Sequence, residues 1–169
     1  GVYTVTVSIT DSASTTATQD FEFVVVFDDN ERGRVSGSGF YWSGSEARLG
    51  QARWGAPAFF GYNARYKGDA DRPSGKTQLR LLGDFFFRST QYDYLIVNDA
   101  IAVAEGVGTI GSDEYRFRVQ GIDEGRLDYF QITIWDPETG VTVYDNGVLY
   151  GGDAKGDVVL LGGIRVRDR

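Results

Sequence analysis

Apolar and polar residues alternate with a period of two along most of this chain, the spacing of strands that bury one face. Near the start, Tyr3, Val5, Val7 and Ile9 fall on one side and Thr4, Thr6, Ser8 and Thr10 on the other. Residues 11–14 read as a polar turn, after which Phe21, Phe23, Val25 and Phe27 resume the phase. The pattern predicts an N-terminal β-hairpin. A lone hairpin is marginal in water, so these two strands need a sheet to join. It can come from the same chain, from another domain, or from a neighbouring subunit by strand pairing.

Further strands are predicted at R-V-S-G-S-G-F-Y-W-S from Arg34, and at residues 77–87 and 92–97, split by Arg88-Ser89-Thr90-Gln91. Residues 67–76 form a loop by their Gly, Pro and charge content. Residues 101–110 alternate less cleanly, and Tyr115, Phe117 and Val119 alternate well. A last strand over 158–166 is interrupted by Gly162-Gly163, which reads as a bulge.

The most sharply specified stretch is Y-F-Q-I-T-I-W-D-P-E-T-G-V-T-V-Y-D-N, residues 129–146. Phe130, Ile132 and Ile134 share the core face, and Pro137 with Gly140 builds the turn. With Asp136 opposite Val141, the expected register sets Ile134 against Val143 inside. Outside, Thr133 then meets Tyr144 and Trp135 meets Thr142. No 3.6-residue pattern of useful length competes. The expected fold is all-β: an antiparallel β-sandwich, immunoglobulin-like or jelly-roll-like, with an N-terminal β-hairpin. The charged D-D-N-E-R-G divides it into residues 1–27, a linker at 28–33, and a main module at 34–169.

Two family likenesses accompany this pattern. G-V-Y-T-V-T-V-S-I-T-D followed by T-A-T-Q-D-F-E-F-V-V-V resembles the last two strands of a PKD (polycystic kidney disease) repeat, an immunoglobulin-like sandwich of secreted and surface proteins. From Arg34 to Val166 the chain resembles the module that follows PKD, HYR and similar repeats at the C-terminal end of large bacterial secreted proteins. The motifs that carry this are G-Q-A-R-W-G, F-F-F-R-S-T-Q-Y-D-Y-L-I-V, G-V-G-T-I-G and above all W-D-x-x-T-G-x-x-V-Y-D-N. Ala56-Pro57-Ala58-Phe59 stands as an insertion against that pattern. The resemblance implies no catalytic residues. It implies an extracellular or cell-surface location.

Composition narrows the chemistry. The chain has no Cys, no His and no Met, which removes disulfides, thiol nucleophiles, His-based triads and the usual zinc ligands. No catalysis is expected. Without an initiator Met the chain reads as a mature or excised piece. A net charge of −7 argues against nucleic acid as partner. No apolar run is long enough to span a bilayer.

Three candidate sites remain. Asp28, Asp29 and Asn30 could supply oxygen ligands to calcium between the two parts of the chain. The competing reading is that Asp and Asn sit in turns to cap their own amides. Trp135 and Tyr144 on the outer face of the hairpin, with Trp42, could stack polysaccharide rings; the competing reading is a second buried aromatic layer. The basic end I-R-V-R-D-R reads as protection of an edge strand. The function expected is a non-catalytic structural or adhesive module, able to assemble by β-strand pairing. A carbohydrate-binding module is the alternative.

Overall fold

A computed structural model of the chain describes residues 2–10, 12–25, 33–48, 55–83, 85–147 and 156–167, with side chains except at 2–5 and 20–25. Two units result, Gly1–Glu31 and Arg32–Arg169. In the first, β1 (Val2–Thr10) and β2 (Thr16–Val25) pair antiparallel from Val2 opposite Val25 to Thr10 opposite Thr16. This is the expected hairpin. Val7 and Ile9 are both exposed on it, Ile9 by 70%. Residues 26 and 27 of the expected second strand lie outside the described residues.

Among the described residues the second unit is one antiparallel sheet of ten strands. They are β3 (Arg34–Ser43), β4 (Ala56–Arg65), β5 (Ser74–Leu81), β6 (Phe86–Asn98), β7 (Ile101–Ile110), β8 (Asp113–Asp123), β9 (Asp128–Trp135), β10 (Thr142–Asp145), β11 (Asp157–Val158) and β12 (Leu161–Arg167). From β3 to β10 each strand pairs with the next in sequence, and β12 returns to lie beside β3. The sheet curls until its halves face one another as the layers of a sandwich. Phe60 of β4 stacks on Phe130 of β9 with ring centroids 4.1 Å apart. All-β, antiparallel and hairpin-led, the architecture is the one the alternation implied.

Size complementarity fills the interior. Phe87, Tyr92 and Phe117 are buried rings, with Phe117 in contact with both of the others. Opposite them β7 buries only small residues, Ala102, Ala104, Gly106 and Gly108, before the partly buried Ile110 at its end. A Cβ on Gly106 would meet the Gln91 carbonyl, and one on Gly108 the Phe87 ring. That is why residues 101–110 alternate poorly by hydrophobicity although their burial alternates well.

The two edges meet in a seam. β11 pairs with the lower half of β9, and the Val159 amide donates to the Asp128 carbonyl at 2.8 Å. One residue on, the Leu160 amide donates to the Phe40 carbonyl of β3 at 2.9 Å. The terminal strand thus switches neighbours at 159–160 rather than at Gly162-Gly163. β12 keeps an unbroken register against β3 through both glycines. Gly162 instead takes φ +104° where a Cβ would strike the Ser38 carbonyl. Nor is the far edge of β12 bare: Asp128 accepts from the Ile164 amide at 2.7 Å and Asp123 from the Val166 amide at 3.2 Å.

Two further expectations are corrected. Arg88–Gln91 is no break; β6 runs straight through it, absorbing the change of phase in register shifts at Ser89/Gln91 and Tyr92/Tyr94. The turn lies earlier, at residues 82–83. In the 129–146 hairpin, Asp136 does pair with Val141 and Trp135 with Thr142, but a bulge follows. Val143 is the extra residue, so Tyr144 comes opposite Ile134 and points into the core. A β-bulge puts two residues against one and so reverses the faces beyond it.

Tyr144 is fully buried, its hydroxyl 2.7 Å from that of Tyr41 and 2.9 Å from Ser43 Oγ. Tyr62 is equally buried, yet its hydroxyl has no hydrogen-bond partner among the described residues. The two tyrosines therefore respond oppositely to loss of the hydroxyl. Tyr144→Phe should lower stability by about 1–3 kcal/mol, by stranding its partners. Tyr62→Phe should leave stability unchanged or raise it. Urea unfolding of the two variants checks this, and equal losses would contradict it.

Candidate functional site

The W-D-x-x-T-G-x-x-V-Y-D-N stretch builds structure at nearly every position. Asp136 Oδ1 accepts the amides of Glu138 and Thr139 at 2.8 Å each, which holds its carboxyl below the usual aspartate range. Gly140 closes the turn at φ +70°, its amide bonded to the Asp136 carbonyl. Asn146 replaces a missing piece of strand where β10 leaves β9. Its Oδ1 accepts the Ile132 amide at 2.7 Å, while its Nδ2 donates to the Phe130 carbonyl at 2.8 Å and to Asp157 at 3.1 Å. Asp145 accepts the Gly147 amide at 2.7 Å. Burial pushes the carboxyls of Asp145 and Asp157 up. These acids are joined to the backbone and to Asn146, not turned toward a cleft.

On the outer face of β6 to β8, Glu105 sits between two arginines. Arg116 reaches it at 2.6 Å and Arg118 at 3.1 Å, and the Tyr94 hydroxyl donates at 2.9 Å. Asp93 completes the group at 3.0 Å from Arg116. Burial works to raise the Glu105 pKa, but the hydrogen bonds from Arg116 and Tyr94 and the charge of Arg118 outweigh it and hold the carboxyl low. Tyr94, desolvated and beside that carboxylate, is pushed up to about 12.

The outer face of β12, β3, β4, β5 and the first turns of β6 is different in kind. Cross-strand pairing aligns Leu161, Phe40, Phe59, Arg80 and Phe86 in one row over five strands. The Phe40 and Phe59 rings lie 5.9 Å apart. Beside this row, Trp42 is 56% exposed next to Pro57, and Leu82 is exposed where its amide meets the Pro57 carbonyl. Six residues further along the strands, Arg167, Arg34 and Arg65 stand in a second row. Between the rows lie Ser36, Ser38, Asn63 and Gln78, flanked by Arg165, Lys76 and Arg88. Arg34, Arg65, Arg165 and Arg167 line an open depression of about 440 Å³ with Ser36 and Asn63. A wider groove of about 890 Å³ adjoins it, running to Asp123 and Asp128.

Of the residues singled out for stacking, the structure keeps one as an exposed platform. Trp42 presents its ring to solvent; Trp135 is half-buried on β9, which is not a sheet neighbour of β3; Tyr144 is in the core and cannot stack a ligand. Tyr41 is buried too. Asp28, Asp29 and Asn30 lie outside the described residues. Among the described residues no three carboxylates gather as a metal site. Phe40 and Phe86 were legible as strand residues; Phe59 was not, because Ala56-Pro57-Ala58-Phe59 reads as an insertion and is instead the start of β4. The outward direction of all three depended on register. A scan of protein-family models and searches of curated proteins and of solved structures found no match.

The Glu105 cluster predicts a pH effect. A carboxyl held low in the fold contributes stability that is present above its ordinary pKa and lost as pH falls through the folded value. Glu105→Gln should therefore cost about 1–3 kcal/mol at neutral pH and progressively less in acid. Thermal melts of both proteins across the acid range read this directly, and parallel curves would rule it out.

Proposed function

We propose that the chain is a non-catalytic structural and adhesive module of a large extracellular or surface protein of bacterial origin. The observation that carries the reading is the outer face of β12 to β6. It displays Trp42, Phe59 and Phe86 in the open on the sheet, with Phe40 half-buried beside Phe59, where a partner's surface can meet them. Contiguous exposed apolar side chains with a polar surround are the mark of an interaction surface. The acids of the Y-D-N motif are meanwhile engaged in holding strands. The PKD-like and post-PKD patterns of the sequence agree with a repeat-rich extracellular parent. Exposed Val7 and Ile9 on the two-stranded N-terminal sheet suit completion by strand pairing with another domain or subunit.

A carbohydrate-binding module is the second reading, favoured by the exposed Trp42 ring. Glycan, ester and peptide substrates should show no turnover above buffer. A turnover abolished by one Asp or Glu substitution would sink the non-catalytic reading. Retention of the full chain on cellulose or chitin, lost in Trp42→Ala, would favour the second reading over the first.

A further inference from the structure

The chain carries 17 Lys and Arg against 24 Asp and Glu, yet its charges are sorted by face. β12, β3, β4, β5 and residues 86–90 of β6 contain no Asp or Glu at all. They present Arg34, Arg65, Lys76, Arg80, Arg88, Arg165 and Arg167 outward. Among the described residues, none of these seven has a carboxylate within ion-pair distance. Arg116 and Arg118, on the same sheet, are both paired. The contrast is informative because like charges directly opposite on neighbouring strands destabilise a sheet. Arg167, Arg34 and Arg65 are such neighbours, with strands ~4.8 Å apart. Edge protection accounts for Arg167 on β12 but not for Arg34 and Arg65, which lie on the inner strands β3 and β4.

We propose that the depression lined by Arg34, Arg65, Arg165 and Arg167 binds the carboxylates of an acidic, uronate-bearing polysaccharide. The guanidinium fork matches a carboxylate in plane and spacing, which a set of lysines would not do. Ser36, Ser38, Asn63 and Gln78, between the arginines and the aromatic row, offer the neutral donors and acceptors that sugar hydroxyls need. Phe40, Phe59 and Trp42 then supply faces for the flat C–H sides of pyranose rings. The strip from the Arg34 row to the Phe40 row is ~20 Å long, six residues of strand. Asp123 and Asp128 border the adjoining groove, but both already accept amide bonds from β12. A duplex nucleic acid fits less well: it carries about one charge per ~1.7 Å, and the groove that adjoins the four arginines is bordered by Asp123 and Asp128.

The proposal rests on the adhesive reading for its class of partner, and one set of measurements separates the two. The full chain is titrated at low and at physiological salt with polygalacturonate, with neutral dextran and with an oligodeoxynucleotide. Polygalacturonate should bind most tightly and weaken with salt. The double variant Arg65→Gln/Arg165→Gln, both residues exposed, should keep its melting temperature and lose at least about tenfold in affinity. Equal binding of dextran, or an undiminished double variant, overturns the site while leaving the adhesive reading in place. Tighter binding of the oligonucleotide assigns the face to nucleic acid instead. A salt-sensitive dimer in sedimentation, abolished by the same variant, assigns it to a second copy. Breakdown of polygalacturonate by the wild-type chain would overturn the adhesive reading and leave the anion site standing.

Discussion

A sheet that curls until its ends approach must satisfy the backbone groups on both of them, and in this chain that happens along the seam between β9–β10 and β3. Buried amides and carbonyls left unpaired are costly, and bare edges invite pairing with other chains. The seam is closed by three devices. The segment 157–161 pairs first with β9 and then with β3. The Asn146 side chain stands in for a peptide group between Phe130 and Ile132. The carboxylates of Asp123 and Asp128 take two further amides of β12, those of Val166 and Ile164. Above them the Asp145 amide donates to Ala47, 2.7 Å away in the loop after β3. The direction of every outward side chain on β3 and β12, and hence the whole basic-aromatic face, follows from this closure.

Inside, the sandwich has room for large rings only because their opposites are small. The inward Gly106 and Gly108 of β7 let Phe87 and Tyr92 approach its backbone, and Gly121 of β8 lies against Tyr62 and Ile164. Polar atoms in this interior are mostly shared out among themselves. Thr77 and Tyr92 meet at 2.7 Å, Tyr92 donates to the Asn63 carbonyl, and Ser89 accepts the Thr77 amide at the β6 bulge. Burial raises the pKa of Tyr41, Tyr62, Tyr92 and Tyr144, so all four stay neutral hydroxyls at neutral pH.

Net charge is a poor guide to this surface. A value of −7 describes the whole chain, whereas recognition acts through local fields, and a face can oppose the sign of the molecule that carries it. Here one outer face has cations without carboxylates, and another, around Glu105, has compensated pairs.

Strand periodicity alone was enough for the all-β class, the N-terminal hairpin, the turn at Asp136–Gly140 and the burial of Phe130, Ile132 and Ile134, because each depends on spacing within a few residues. It failed wherever phase changed inside a strand. The bulge at Val143 turned Tyr144 from an expected surface platform into a core residue, and the shifts in β6 hid a continuous strand at Arg88–Gln91. No local pattern reveals a bulge that is stabilised by the neighbouring strand. The basic-aromatic face was invisible for a related reason. Arg34, Arg65 and Arg167 are separated by 31 and 102 residues in sequence; the β3–β4 register brings the first two together, and Arg167 joins them only when β12 crosses the seam to pair with β3. Local alternation grouped the residues of an unbroken strand onto common sides; which side met the core beyond a bulge, and which strands shared a face, was decided by register and closure, because hydrogen bonds between distant strands set both.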